Sequence, residues 1–376
     1  MKITQLGFLK PGLTALAVTA LVLSGGCASA DDERAADAGA SGSAAASGSP
    51  SAASDCPLVN APDPGNSKAP ANTPVSKGAP KVEKKSSYKV AFSQITSDNP
   101  FRLAETQSMK TEAEKRGWKI TVTDAGGKED KQIQDMKTLI SQKPDAIFLA
   151  PNTEKGLAPV VKQAADAGIA VFLVDRTVDP SIAKPGEDFV TTIASDFVQE
   201  GKRAAIQLAK ATGGKANIIE LEGTTGSSPA IDRKKGFADT IAVCKEMKVV
   251  VSQDADFSRE KGQSVAETLL QSQGSANAIY AHNDEMALGA INALKAAGKT
   301  PGKDVLLVSI DGNKDAVTAV SEGELVASVE CNPRFGPVAY DALEAYAAGK
   351  SVPIKIVSTD RLFDSKNAAQ NIEQAY

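Results

Sequence analysis

Residues 145–176 read DAIFLAPNTEKGLAPVVKQAADAGIAVFLVDR. Ala146 to Pro151 and Ala170 to Asp175 are apolar runs of strand length, near-continuous rather than alternating, as in strands covered on both faces. Between them Leu157, Val160, Val161 and Ala164 recur at the three-and-four spacing that lines one helix face, and Gly168 falls where a helix C-cap belongs. Strand, helix and strand in this order mean two parallel strands joined by a crossover helix.

The same rhythm extends in both directions. Upstream, Tyr88 to Gln94 and Ile120 to Asp124 are strand-like, Ile133, Met136, Leu139 and Ile140 share a helix face, and Gly117 marks a helix end. Val190 to Ser195 closes this first set, and a second begins after Asp196 with Asn217 to Gly223, Val249 to Gln253, Ala278 to Asn283 and Leu306 to Asp311. Helical stretches such as Pro229 to Glu246 separate them. The expected fold class is α/β, with two doubly wound, Rossmann-like lobes built on parallel sheets. A helix from Pro337 to Ala348 and a strand from Ile354 to Ser358 follow both sets, so the tail is expected to cross between lobes and build a multi-strand hinge. The expected lobes are 88–196 with 331–360, and 197–330 with 361–376.

Ahead of the lobes, Lys2 and Lys10, an apolar run from Leu13 to Leu23 and the small residues Ser24-Gly25-Gly26-Cys27 read as an export signal over residues 1–27. The run is too short to span a bilayer comfortably. Cys27 is the expected lipid acceptor, making an extracytoplasmic lipoprotein anchored to the cell membrane. Against that pattern, Ser24 occupies the usual bulky position, and Ala28-Ser29-Ala30 offers an ordinary cleavage site that would release a secreted or periplasmic protein. Residues 28–87, rich in Ala, Ser, Gly and Pro, have too little apolar surface to offset ordering entropy and are expected to form a disordered tether. Cys56 lies in that tether, whereas Cys244 and Cys331 lie in the lobes; export permits a disulfide, and the sequence leaves the pairing of Cys244 and Cys331 open.

A net charge of −4 with well-mixed signs provides no basic stripe, which argues against nucleic acid as a partner. The single histidine, His282, removes most Ser/His, Cys/His and His-metal constellations, and no cofactor or metal is expected. Gly223-Thr224-Thr225-Gly226 resembles a phosphate loop but lacks the Gly-Lys-Ser/Thr ending.

Ligands of open parallel sheets sit beyond the carboxyl ends of the strands. Those ends here carry Ser97-Asp98-Asn99-Pro100-Phe101-Arg102, Asp175-Arg176, Gly223 to Ser228, Asn283-Asp284 and Asp311-Gly312. Asp and Asn accept from adjacent hydroxyls, an Arg fork donates to two vicinal oxygens, and rings such as Phe101, Phe257 or Trp118 cover the C–H faces of a sugar. Plainer readings stand beside these. Asp175-Arg176 also reads as a surface ion pair, Asp311-Gly312 as a turn, Phe101 as core, Trp118 as packing and His282 as a structural histidine; Asp284 is expected to be a helix N-cap.

Phe92-Ser93-Gln94, Asn99-Pro100-Phe101-Arg102, Leu173-Val174-Asp175-Arg176, Ile231-Asp232-Arg233-Lys234-Lys235-Gly236-Phe237, His282-Asn283-Asp284-Glu285-Met286 and Ser309-Ile310-Asp311-Gly312, in this order, resemble the ribose/galactose-type periplasmic sugar-binding family. The likeness runs from about Tyr88 to the C-terminus. It implies a type I binding-protein fold, a monomeric clamp with a three-strand hinge that closes on a monosaccharide, and delivery to an ABC permease in the membrane. Residue by residue it implies ring stacking for Phe101 and Phe257, a first-lobe grip from Asp175 and Arg176, and a second-lobe grip from Arg233, Asn283 and Asp311. The chain departs from the ribose pattern at Arg102, where a second aromatic is usual, and at Cys331, where a hinge-side glutamine is usual. Arg102 with Glu105 resembles the galactofuranose-type pattern and would reach an exocyclic chain; its plain reading is a solvated ion pair on the helix surface. Three rivals share parts of this reading. They are a sensory module that presents a sugar or autoinducer to a membrane receptor, a sugar-responsive repressor, which needs a DNA-binding segment where the tether stands, and a hydrolase using a carboxylate pair such as Asp175 and Asp311.

Overall fold

The structure, a computed structural model, describes residues 55–67 and 72–376, so the export signal and Cys27 lie outside the described residues. The first set of elements is β1 (Lys89–Gln94), α1 (Pro100–Lys115), β2 (Lys119–Asp124), α2 (Glu129–Ser141), β3 (Ala146–Leu149), α3 (Glu154–Asp166), β4 (Ala170–Val174) and β5 (Thr191–Ala194). The second is α4 (Phe197–Thr212), β6 (Ala216–Glu222), α5 (Ser228–Ile241), β7 (Met247–Asp254), α6 (Arg259–Ser272), β8 (Ala278–Ala281), α7 (Asp284–Ala296), β9 (Leu306–Asp311), α8 (Lys314–Ser321) and β10 (Ala327–Glu330). The tail adds α9 (Gly336–Ala347), β11 (Lys355–Val357), β12 (Leu362–Asp364) and α10 (Ala368–Asn371).

These strands form two six-stranded sheets, ordered β11-β5-β4-β3-β1-β2 and β12-β10-β9-β8-β6-β7. Every pairing is parallel except β12 with β10, and β12 is a strand the sequence pattern did not reveal. Its three residues carry a single fully buried side chain, Phe363, too little apolar signal to register as a strand. Because β5, β10 and β11 each hand the chain to the opposite sheet side, three segments cross between the lobes, around residues 195–196, 331–335 and 358–361.

Burial explains why these runs are strands. All four residues of β3 and all five of β4 are buried, with helices covering both faces, and Phe148 stacks on Phe172 at 5.2 Å. The helix face of Leu157, Val160, Val161 and Ala164 lies on that sheet, and Gly117 and Gly168 follow their helices at φ +68° and +77°. Trp118 packs between Tyr88 and Tyr340, at 4.7 and 4.8 Å, in its packing role. Gly236 brings α5 against α4: a Cβ there would stand 2.0 Å from the Val198 carbonyl oxygen. That close crossing sets the height at which Arg233, one turn earlier on α5, enters the space between the lobes.

One expectation is overturned, and a pairing the sequence left open is decided. Residues 55–67 and 72–87 are not a free tether: Cys56 is disulfide-bonded to Cys244, and Val75 bridges Pro353 at the edge of the first sheet. Composition missed this because the few apolar residues of the segment, Leu58, Val59, Ala79 and Val82, pack on the lobes' core rather than on one another, and a covalent bond, an ion pair and hydrogen bonds to distant residues hold the rest. Cys244 therefore does not pair with Cys331, which is a buried free thiol.

Candidate functional site

Between the sheets lies a crevice, partly open to solvent, whose empty volume counted with that open part is about 310 Å³. Asn99, Phe101, Arg102, Asp175 and Arg176 line it from the first lobe; Pro229, Arg233, Phe257, Asn283 and Asp311 line it from the second. The lobes meet around it: the Glu154 amide donates to the Gly226 carbonyl at 3.0 Å, the Thr177 amide to Ser228 Oγ at 3.1 Å, and the Arg176 guanidinium lies 5.3 Å from the Phe257 ring.

Each wall is set by local backbone chemistry. Asn99 caps α1, its side chain accepting from the Arg102 amide at 3.0 Å, which fixes the first turn that carries Phe101 and Arg102. Asp175 directly follows β4 at φ +62° and Asp311 ends β9 at φ +132°, both backbone geometries that side chains rarely adopt and that here turn the carboxylates toward the crevice. Phe257, itself at φ +56°, lays its ring over the end of β6, where Gly223 leaves room; a Cβ there would stand 1.9 Å from the ring.

The charges form two matching clusters, an arginine between two carboxylates in each lobe. Arg102 Nη1 donates to Glu105 Oε2 and Nη2 contacts Asp175 Oδ2, both at 2.8 Å. Arg233 Nε contacts Glu200 Oε2 at 2.7 Å, Nη1 donates to the His282 carbonyl at 2.7 Å, and Nη2 reaches Asp311 Oδ1 at 3.4 Å. Arg176 Nη1 donates to the Asn152 carbonyl at 2.9 Å, while its buried Nε has no hydrogen-bond acceptor in the protein. Burial pushes the Glu105 and Glu200 carboxyls up to about 7, against the opposing pull of Arg102 and Arg233, and raises Asp311 well above the usual range. Burial, aided by the positive charge of Arg102, lowers the Arg176 guanidinium.

Glu105 is fully buried behind Arg102, hydrogen-bonded to Gln94 Nε2 at 2.8 Å, and is not on the cavity wall; nor is it a solvated surface pair. The capping expectation moves by one residue. Asn283 is the N-cap of α7, accepting from the Met286 amide at 3.0 Å, and its Nδ2 donates to the Phe257 carbonyl at 3.2 Å. Asp284 instead accepts from Ser309 Oγ at 2.5 Å, Ser328 Oγ at 2.8 Å, and the amides of Gly312 at 2.7 Å and Asn313 at 2.8 Å, pinning the loop that carries Asp311. His282 is structural: Nε2 faces Glu220 Oε1 at 3.1 Å inside the second lobe. Pro229 and Glu200 were missed. Glu200 was detectable as the lone carboxylate on the apolar stripe Phe197, Ala204 and Leu208 of α4.

Raised carboxyls set a pH dependence for the unliganded protein. A carboxyl whose folded pKa exceeds its unfolded value adds stability that is fully present below the unfolded pKa, near 4, and is lost as pH rises through about 7. His282, lowered by burial, acts oppositely below about 6.5. The melting temperature is therefore expected to be higher at pH about 6.5 than at about 8, and Glu105→Gln or Glu200→Gln should narrow the difference. A higher melting temperature at pH about 8 would contradict the assignment.

Residues 90–351 match the family described as periplasmic binding protein domain. Over 290 residues, 76% of this chain and 90% of the relative, the sequence is 42% identical to the galactofuranose-binding protein YtfQ of Escherichia coli K12. It is similar to the periplasmic binding protein component of the arabinose ABC transporter from Shewanella sp. ANA-3, solved with α- and β-L-arabinofuranose, at TM-score 0.71 and 40% identity over 76% of this chain and 95% of that one. A Mycobacterium smegmatis structure in complex with β-D-fucofuranose gives TM-score 0.72 and 38% identity over 76% and 94% of the two chains. Two parallel sheets facing each other across a ligand crevice are the type I periplasmic binding protein fold. Within that class, the chain belongs to the ribose/galactose-type periplasmic sugar-binding family. It is a binding protein and not an enzyme, and the carboxylates a hydrolase would use are committed to arginines: Asp175 to Arg102, Asp311 to Arg233.

Proposed function

We propose that this chain is the extracytoplasmic solute-binding lipoprotein of an ABC sugar importer, holding a monosaccharide in furanose form between two lobes that close on it. The observation that carries the reading is the internal neutralisation of the crevice. Arg102 and Arg233 already have carboxylate partners, so a bound anion would face Asp175 and Asp311, and a cation would face three guanidiniums. A neutral polyol suits both signs, because its hydroxyls donate to the carboxylates and accept from the guanidiniums. Phe101 and Phe257 supply apolar walls for its C–H faces. Asn99, Asp175, Arg176, Arg233, Asn283 and Asp311 contact the ring hydroxyls, and Arg102, held straight by Glu105, reaches the exocyclic carbons. The furanose form is supported by relatives whose ligands are galactofuranose, arabinofuranose and fucofuranose.

Mechanistically the sugar shifts a population: only with the lobes together are its hydroxyls all satisfied, and the closed clamp is the form a permease reads. Cys27 carries the lipid that keeps a monomeric clamp near the membrane, and the Cys56–Cys244 disulfide fits an oxidising compartment. Thermal shift on the chain lacking residues 1–27, with galactose, arabinose, fucose, ribose, glucose and xylose, tests the ligand. At 100-fold excess over Kd a ligand of the folded state adds about 2.7 kcal/mol. A rise selective for sugars with accessible furanose forms is expected; no rise with any sugar, from folded and ligand-free protein, would overturn the reading. Metabolic fatty-acid labelling that disappears in Cys27→Ser checks the anchor.

A further inference from the structure

We infer that Tyr376 is a further residue of the sugar site, one that sets the Phe101 ring from the opposite lobe and reaches the bound sugar with its hydroxyl through an ordered water. The inference rests on the sugar-binding reading of the crevice and adds a residue to it. Tyr376 lies outside residues 90–351, the part matched by the family.

The backbone that carries Tyr376 belongs to the second lobe. The Lys314 amide, at the start of α8, donates to the Tyr376 carbonyl at 2.9 Å, and Ile372 and Ala375 pack on that lobe's core. Arg334 Nη2 donates to the Gln374 and Ala375 carbonyls at 3.3 and 3.4 Å, and its guanidinium lies 6.0 Å from the Tyr376 ring. Arg334 is part of the crossing around 331–335, so the ring stands where hinge and crevice meet.

The side chain then leaves its own lobe and meets α1 of the first. The Tyr376 ring stands edge-on to Phe101, with centroids 6.0 Å apart and an angle of 78° between the planes, and the Arg102 guanidinium lies 5.1 Å from the same Phe101 ring. A phenyl ring turns about a broad torsional well, and an edge-to-face neighbour together with a cation selects one setting of it. That setting decides which surface Phe101 presents to the C–H groups of a sugar, since Phe101 is on the crevice wall.

The hydroxyl is an independent observation. Tyr376 Oη is buried and has no hydrogen-bond partner in the protein, although a buried tyrosine hydroxyl finds one as a rule. Its charged surroundings include Asp311 and Arg233, both on the crevice wall. Burial, with the negative charge of Asp311, raises the phenol well above its ordinary range, so the group is a neutral hydroxyl that both donates and accepts. For packing alone, phenylalanine would fill the same space and leave no polar atom to desolvate. Because Tyr376 stands behind Phe101 rather than on the wall itself, its hydroxyl meets the sugar through one water, shared with a ligand hydroxyl near Asp311.

The test is calorimetric titration of the chain lacking residues 1–27 with L-arabinose and D-galactose. Wild type is compared with Tyr376→Phe, Tyr376→Leu, Phe101→Leu and the double leucine variant, with melting curves of each taken without sugar to establish folding. Tyr376→Phe keeps the ring and drops only the oxygen. Its affinity is expected to fall about 3- to 10-fold while the melting temperature holds or rises, whereas a merely structural hydroxyl would move stability and not affinity. Tyr376→Leu should lose about 3- to 10-fold further, and that second loss should vanish when Phe101 is already leucine, because the ring acts through Phe101. Wild-type affinity in Tyr376→Phe, or the same full loss for Tyr376→Leu with and without Phe101, would overturn the assignment and leave furanose binding intact. A folded wild type that binds neither sugar would instead overturn the furanose reading, and this inference with it, so the wild-type titration tells the two failures apart.

Discussion

Replacing Arg233 by alanine is expected to abolish measurable sugar binding and to cost the fold several kcal/mol. The guanidinium is shared among Glu200 Oε2, the His282 carbonyl and Asp311 Oδ1, and it lies 5.3 Å from the Phe197 ring and 5.9 Å from the Phe257 ring. Its removal leaves two buried carboxylates with no counter-charge, a change that costs about 3–5 kcal/mol when one partner of a buried pair is deleted. The carboxylates relieve part of that by taking up protons, to which Glu200 and Asp311 are already inclined by burial. Binding loses the fork that meets two ligand oxygens, at about 1.5–3 kcal/mol for each charged hydrogen bond, so affinity should fall by about 100-fold or more. Arg233→Met combined with Glu200→Gln separates the effects: the melting temperature should recover while affinity does not. Calorimetric titration on folded protein is the check, and affinity within about threefold of wild type would remove Arg233 from the site.

Asp175→Ala is the second large effect. One carboxylate oxygen, Oδ2, sits 2.8 Å from Arg102 Nη2 and 3.6 Å from Arg176 Nε. Without it two guanidiniums face each other with one acceptor fewer, Arg102 retains only Glu105, and the ligand loses an acceptor for its hydroxyls. An affinity loss of about 30- to 100-fold is expected by titration, with a smaller loss for Asp175→Asn, which keeps the shape and one acceptor oxygen. Alanine must also take up φ +62° at this position, so melting curves should accompany the titration. Equal losses for alanine and asparagine would mean that charge, not shape, is what Asp175 contributes.

These effects concentrate at strand ends because those are where side chains leave the sheet without a neighbour to satisfy them. Arg102 and Arg233 each emerge on the first turns of a helix and each is straightened by a carboxylate on a helix, Glu105 on α1 itself and Glu200 on α4. The two lobes have thus arrived at the same solution with different topological sources for the second carboxylate. Asp284 does comparable work one layer back, and a substitution there would disturb the site through the Asp311 loop rather than through the ligand.

Much of this was legible in the chain. Periodicity separates strand from helix because a strand buried on both faces must be apolar throughout while a helix need only be apolar on one stripe, and residues 145–176 show both in one stretch. The strand-end position of Asn99, Phe101, Asp175, Arg176, Asn283 and Asp311 was likewise readable, because parallel sheets gather their carboxyl ends on one edge, whereas Arg233, inside a helix, came in only through the family resemblance and Phe257 as a candidate ring. What the linear order did not contain was which distant groups meet. Cys56 and Cys244 lie 188 residues apart, and nothing local to either distinguishes Cys244 from Cys331 as a partner. Glu105 could be a solvated helix charge or a buried brace until the burial of its helix face was known. The cap fell on Asn283 rather than Asp284 because the helix start depends on backbone geometry, and Asp284 was drawn inward by donors from β9, β10 and the loop after β9. The sequence by itself therefore determined the two α/β lobes and the edge on which the site lies, since both follow from local apolar patterning. Only the tertiary structure decided the disulfide, the packing of residues 55–67 against α4 and the hinge, and the pairing of each arginine, since these depend on contacts between residues far apart in the chain.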